Sequence, residues 1–202
     1  MRIGFLASGE GTTLQSVLDA CASGELDARV VLVIGNNRNS GALKRAETGS
    51  VRFMHLSGST HPDFDALDRA ILAAFLDAGA ELVVLAGYMK KVGPKTLAAF
   101  DGRIINTHPA LLPKYGGRGM YGRRVHEAVL AAGETETGVT VHKVDGEYDH
   151  GPVIAQTVIP IMGNDDPESL SARVQAIERA FLVKTLQGFA GQRHYFECSV
   201  NG

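Results

Sequence analysis

Cysteine is almost missing from this chain: Cys21 and Cys198 are the only two among 202 residues. That usage excludes a disulfide-stapled scaffold and suits a reducing compartment. Long apolar runs are missing as well, and nothing approaches the roughly 18 residues a membrane helix needs. The opening "MRIGFLASGEGTT" has one basic residue and too few apolar ones for a secretory h-region. The expectation is a cytoplasmic protein with no membrane partner. Neither sign of charge prevails: 20 basic and 22 acidic residues leave −2. No nucleic-acid groove is therefore expected. Repeats, low-complexity tracts and linkers are also lacking, so a single domain over 1–202 is the economical reading.

Two chemical signatures fail in the same way. "HEAVL" at 126–130 begins like a zinc helix, but the second ligand position is Leu130, and no Cys-x-x-Cys exists. No metal is expected. Gly-x-Ser-x-Gly is absent too, which argues against a serine hydrolase of the α/β type.

What is present is alternation. Strand-like runs at 2–7, 29–35, 51–55 and 82–87 are separated by helical patterns near 12–22, 40–48 and 62–78. Continuous apolar strands between helices suit a parallel sheet covered on both faces. The fold expected is α/β: an open, mostly parallel, doubly wound (Rossmann-like) sheet with helices on both faces. After a strand at 103–107 and a helix near 124–132, the runs at 137–144 and 152–160 read as an antiparallel extension in the C-terminal half. A last helix starts with Asp166 as N-cap and Pro167 at its first position, its buried stripe formed by Leu170, Val174, Ile177 and Phe181.

Three segments carry chemistry. "LASGEGTTLQ" turns from the first strand into the first helix, where free N–H groups and the positive helix end favour an anion. A dinucleotide fingerprint would need Gly where Leu14 stands, and Gly-Lys-Ser/Thr is absent. Gly9, Gly11, Thr12 and Thr13 could hold one phosphate; alternatively the turn is merely tight, with Thr12 capping the helix. In "INTHPALLPKYGG", strand alternation puts Asn106 and His108 on one face roughly 7 Å apart, with Thr107 pointing away. Pro109 ends the strand, and the carboxyl ends of parallel strands are where ligands bind. An amide donor and a titratable ring aimed at one point suit an oxyanion site for acyl transfer. The other reading is that both side chains only satisfy backbone groups. Finally, "VDGEYDHGPVIAQ" offers Asp145, Glu147 and Asp149, any of which could orient the imidazole or simply solvate a turn.

The order Ser-Gly-x-Gly-Thr, Asn-x-His-Pro, Asp-x-Gly-Pro, with "LAGYM" before and "LLPKY" after the histidine, resembles the folate-dependent formyltransferases. The likeness runs from "IGFLASGEGTTLQ" to "ARVQAIERAFL". It implies 10-formyltetrahydrofolate as co-substrate, glycinamide ribonucleotide as the amine acceptor, and a place in de novo purine biosynthesis. It also implies a monomer or homodimer acting on small molecules, with 1–86 as the phosphate-binding half and 87–202 as the folate-binding and catalytic half. Residue by residue, it implies Asn106, His108 and Asp149 as catalytic, and Gly11, Thr12, Thr13 and Glu178 on the acceptor. Tyr88, Met89, Lys90, Lys91 and Val92, with Asn106, would line the folate pocket. Glu10 and Thr13 stand where the family commonly has Asn, Lys90 where Arg is common, and the 114–124 connection is long. An amino-sugar formyltransferase and a non-catalytic nucleotide-binding module are the competing readings.

Overall fold

The computed structural model describes the chain through Glu197, and its side chains through Gly191; Cys198 lies outside the described residues. Seven strands form one sheet in the order β3-β2-β1-β4-β5-β6-β7. They are β1 (Arg2–Ala7), β2 (Arg29–Gly35), β3 (Phe53–His55), β4 (Leu82–Ala86), β5 (Ile104–His108), β6 (Glu136–Lys143) and β7 (Val153–Pro160). Strands β1 to β5 pair in parallel, whereas β6 runs antiparallel to β5 and β7 antiparallel to β6. The doubly wound sheet and its antiparallel extension are as expected.

The winding reverses at β1, which lies between β2 and β4. A crevice must open there at the carboxyl ends, because the connections leave to opposite sides. One sheet face is covered by α1 (Thr12–Ser23), α2 (Gly41–Thr48) and α6 (Pro167–Glu197), whose Leu14, Ala42 and Leu182 pack on Phe5, Val84 and Ile105. The other face carries α3 (Phe64–Asp77) and α4 (Pro94–Ala99), with Phe75 and Val92 against Leu6, Val83 and Ile104. Helix α5 (Arg123–Ala131), nine residues long, packs Val125 and Val129 on Ala110.

Three local expectations change. Helix α4, only six residues long, was not foreseen; it opens at Gly93-Pro94 and is anchored from outside by Asp68. In α6, Leu170 and Val174 are buried as expected, but Ile177 and Phe181 only partly, and the stripe passes on to Leu182, Val183 and Leu186. Thr12 caps nothing: the N-cap of α1 is Gly11, in the left-handed region at φ 72, with no side-chain cap. Its missing Cβ is required, since one would lie 2.5 Å from Ala42 Cα.

Candidate active site

A cavity of about 780 Å³ opens at the switch point, a size suited to a substantial organic ligand. Every residue singled out from the sequence lines it: Gly11–Thr13 from the glycine loop, Tyr88–Val92 after β4, Asn106 and His108 from β5, Asp149 and Glu178. The cavity wraps around the end of β5. Asn106 and His108 lie on the α3/α4 side, while Thr107 turns the other way and donates from Oγ1 to Glu178 Oε1 on α6. Alternation thus gives one strand end a role on both faces.

Asp149 is the hub. It occupies the left-handed region at φ 54, a conformation Asp tolerates better than most residues. The turn is held tight because Gly151 passes so close to β6 that a Cβ there would lie 2.0 Å from the Lys143 carbonyl oxygen. Gly117 N–H donates to Asp149 Oδ2 (3.0 Å), and Asn106 Nδ2 donates to Oδ1 (3.4 Å). His108 Nδ1 stands 3.5 Å from Oδ2 and His142 Nε2 3.6 Å from Oδ1. Of the three acidic candidates only this one faces the ring. Asp145 instead holds His150 Nδ1 and the Glu147 N–H at the rim.

Both nitrogens of His108 meet acceptors: Nδ1 faces Asp149, and Nε2 donates to the Tyr115 carbonyl oxygen at 2.7 Å. A neutral ring carries one N–H and cannot satisfy both. Burial nevertheless pulls the pKa of His108 below its ordinary value, and the Asp149 charge and Tyr115 carbonyl oppose that without overcoming it. The carboxylate therefore favours the imidazolium, but burial decides the net direction. For Asp149, burial acts upward but is outweighed by the His142 and His108 rings and the Gly117 N–H, so its pKa is lowered. Glu178 is the reverse: burial raises its pKa, and the Thr107 hydroxyl only moderates the rise.

Residue His142 was missed from the sequence, where the histidines look scattered. It is 2% exposed and sits directly across from Asn106 in the β5–β6 register. Its Nδ1–H donates to the Lys143 carbonyl (2.8 Å), which leaves Nε2 to accept from Asn106 Nδ2 (3.0 Å). The signal was a β6 position paired with the end of β5, legible only once the register is known. His126 on α5, which the sequence offered only as the head of an incomplete zinc motif, also lines the cavity; it is 1% exposed, and its Nδ1 has no hydrogen-bond partner among the described residues.

The walls are fixed by ordinary means. Thr140 donates to the Ala110 carbonyl (2.7 Å) and accepts from Leu112 N–H (3.1 Å), while Gln156 donates to the Leu112 carbonyl (2.9 Å). These bonds hold "PALLP" against β6. Met89 N–H donates to Ser8 Oγ (2.9 Å), tying the segment after β4 to the glycine loop. Lys91 Nζ donates to the Gly146 carbonyl (3.1 Å) and lies over the Tyr148 ring. Tyr88 is buried, and burial pushes its phenol up to about 12. Among the described residues no group of three His, Cys, Asp or Glu side chains is placed to hold a metal ion.

Residues 1–186 match the model of the formyl transferase family. The chain belongs to that family. Among relatives, it is 43% identical over 189 residues to the phosphoribosylglycinamide formyltransferase of Mycobacterium tuberculosis (strain H37Rv), covering 94% of this chain and 85% of the relative. It is 34% identical over 193 residues to the Escherichia coli K12 protein of the same name, covering 96% and 89%. It spans 66% of the length of the chloroplastic relative from Arabidopsis thaliana. Glycinamide ribonucleotide transformylase 1 from Symbiobacterium toebii superposes with a TM-score of 0.89 at 36% identity, over 96% of this chain and 89% of that one. The sheet order and antiparallel extension are therefore those of a formyl transferase fold.

Proposed function

We propose that this formyl transferase moves a formyl group from 10-formyltetrahydrofolate to the amine of glycinamide ribonucleotide, a step of de novo purine biosynthesis. The observation that carries the reading is the single cavity that joins the uncapped α1 N-terminus to the Asn106–His108–Asp149–His142 cluster. Relatives and solved neighbours named for this activity support it.

In this reading the amine nitrogen attacks the formyl carbon, the bond from that carbon to the folate nitrogen breaks, and that nitrogen takes up a proton in balance with the one the ammonium loses. Asn106, by handing over the N–H that makes only the long 3.4 Å bond to Asp149, and His108 stabilise the oxyanion that develops. His108 can serve it through Nε2 once the substrate oxygen takes the place of the Tyr115 carbonyl. Asp149 favours the imidazolium as it forms and orders the water that removes the ammonium proton. The imidazolium is needed only while negative charge develops, so a ring that is mostly neutral at rest is compatible with this role. Gly11, Thr12 and Thr13 hold the acceptor's phosphate, and Glu178, kept in place by Thr107, meets its ribose side. Tyr88–Val92 with Asn106 line the folate, so the glycine-loop half serves the phosphate and the rest serves folate and chemistry.

The test offers the same formyl donor with glycinamide ribonucleotide, with unphosphorylated amines and with water alone, following folate absorbance and the formylated product. Fast turnover restricted to the phosphorylated acceptor is the expected result. Donor consumption that releases formate without needing an amine would overturn the reading, and so would binding without turnover.

A further inference from the structure

Charge is unevenly distributed around the phosphate end of the cavity. The glycine loop contains Glu10 and brings no cation of its own. Arg45, which reaches it from α2, is occupied: its Nε donates to the Glu10 carbonyl (2.8 Å) and a terminal nitrogen to Gln15 Oε1 (3.2 Å). A phosphate monoester placed on Gly11–Thr13 would thus have Glu10 beside it and Glu178 further in, with backbone N–H groups and the Thr12 and Thr13 hydroxyls, but no positive side chain of the loop, to oppose them. At the folate end, Lys91 is held by the Gly146 carbonyl and the Tyr148 ring.

Two arginines line the same cavity from another segment. Arg118 stands in the long 114–124 connection and Arg124 in the first turn of α5. Both are exposed, and neither makes a hydrogen bond or ion pair among the described residues. Arg124 lies over the Tyr121 ring, 5.2 Å from its centroid, which orients it without neutralising it. Neighbouring Arg123, by contrast, is paired with Glu127 at 2.8 Å. The location is the acceptor end: α5 packs against α6, and Gln175 of α6 borders both this cavity and a small cleft shared with Arg123.

We propose that Arg118 and Arg124 form a second half of the phosphate subsite and set the preference for a phosphorylated over an unphosphorylated acceptor. This rests on the proposed reaction. The helix end and loop amides fix where the phosphate sits. The guanidinium forks supply the positive charge that the loop lacks, in a planar geometry that suits phosphate oxygens.

The test compares glycinamide ribonucleotide with its unphosphorylated ribosyl counterpart in the full chain, for Arg118→Ala, Arg124→Ala, the double variant and Arg124→Lys. Each alanine variant should lower the ratio of kcat/KM values, phosphorylated over unphosphorylated, at least tenfold, chiefly through KM. Competitive inhibition by inorganic phosphate should weaken in parallel, and Arg124→Lys should keep part of the preference. A ratio within twofold of the unaltered protein in both alanine variants overturns the proposal, as does equal loss on both acceptors. Should the unaltered protein turn over neither acceptor, the proposed function fails instead. Calorimetric binding of the two acceptors to the same variants then decides on the arginines by the same ratio.

Discussion

Replacing Asp149 by Asn removes one charge from the centre of the site while nearly preserving shape. The carboxylate stands 3.5 Å from His108 Nδ1 and 3.6 Å from His142 Nε2, with Asp149 11% exposed and the rings 4% and 2%. At such a separation, an effective dielectric of about 20 gives on the order of 4 kcal/mol between full charges. Part of that offsets the cost of burying the pair, so a loss of about 3 kcal/mol in stabilising a transient imidazolium is a reasonable expectation. That corresponds to roughly 10²-fold in kcat. The sign for pH follows from the same contacts. Burial lowers the His108 pKa and Asp149 works against it; without the carboxylate the pKa falls further. If turnover needs protonated His108, activity is lost as pH rises through that pKa, and in Asp149→Asn this loss moves to lower pH. Stopped-flow or steady-state kcat measured from about pH 5 to about pH 9 reads both effects. A variant with kcat within threefold of the unaltered protein and an unmoved limb would refute the reasoning.

Asn106→Ala and His108→Ala should each lower kcat by about 10²–10³ with much smaller changes in ligand affinity; near-normal turnover in His108→Ala would remove it from the mechanism. Gly11→Ala forces a side chain into φ 72 and against Ala42, at a cost of about 1–2 kcal/mol from the backbone alone. Thermal denaturation should show the loss, and KM should rise more for the phosphorylated acceptor than for the folate. Asp68→Ala strips the α4 N-terminus of the acceptor for Lys95 N–H (2.7 Å), Thr96 N–H (3.1 Å) and the Thr96 hydroxyl (2.6 Å). A loss of about 2–3 kcal/mol is expected, with a raised folate KM because Tyr88–Val92 leads into that helix. Burial lowers the pKa of His126 as well as of His108. The unfolded rings then bind protons below about pH 6.5, where the folded ones do not. Stability contributed by these groups is complete above that pH and declines as pH falls towards the folded values. The melting temperature should drop on acidification over that window, less steeply in His126→Phe; an identical slope in that variant would count against the assignment.

Much of the site was legible because adjacent residues in a strand or turn obey local rules. The period of two placed Asn106 and His108 on one face, and Pro109 ended the strand. Glycines flanking a strand-to-helix turn marked the α1 N-terminus, though not that Gly11 rather than Thr12 would be the cap. Helix α4 escaped notice because six residues cannot show a 3.6-residue period; an aspartate 26 residues earlier than Pro94 anchors it. His142 and His126 escaped for a related reason. One depends on the register of β6 against β5, the other on how α5 docks over Ala110, and neither leaves a local pattern.

Local chemistry written in the sequence determined the alternating elements, the reversal of winding they permit, and the order of the three motif segments. The tertiary structure alone decided that Asp149, and not Asp145 or Glu147, meets the ring. It also decided that burial outweighs that carboxylate at His108, and that Thr107 reaches Glu178 across the sheet edge. Hydrogen-bonding capacity and turn preference belong to a residue and its neighbours, whereas solvent exclusion and the distance between charges depend on segments far apart in the chain.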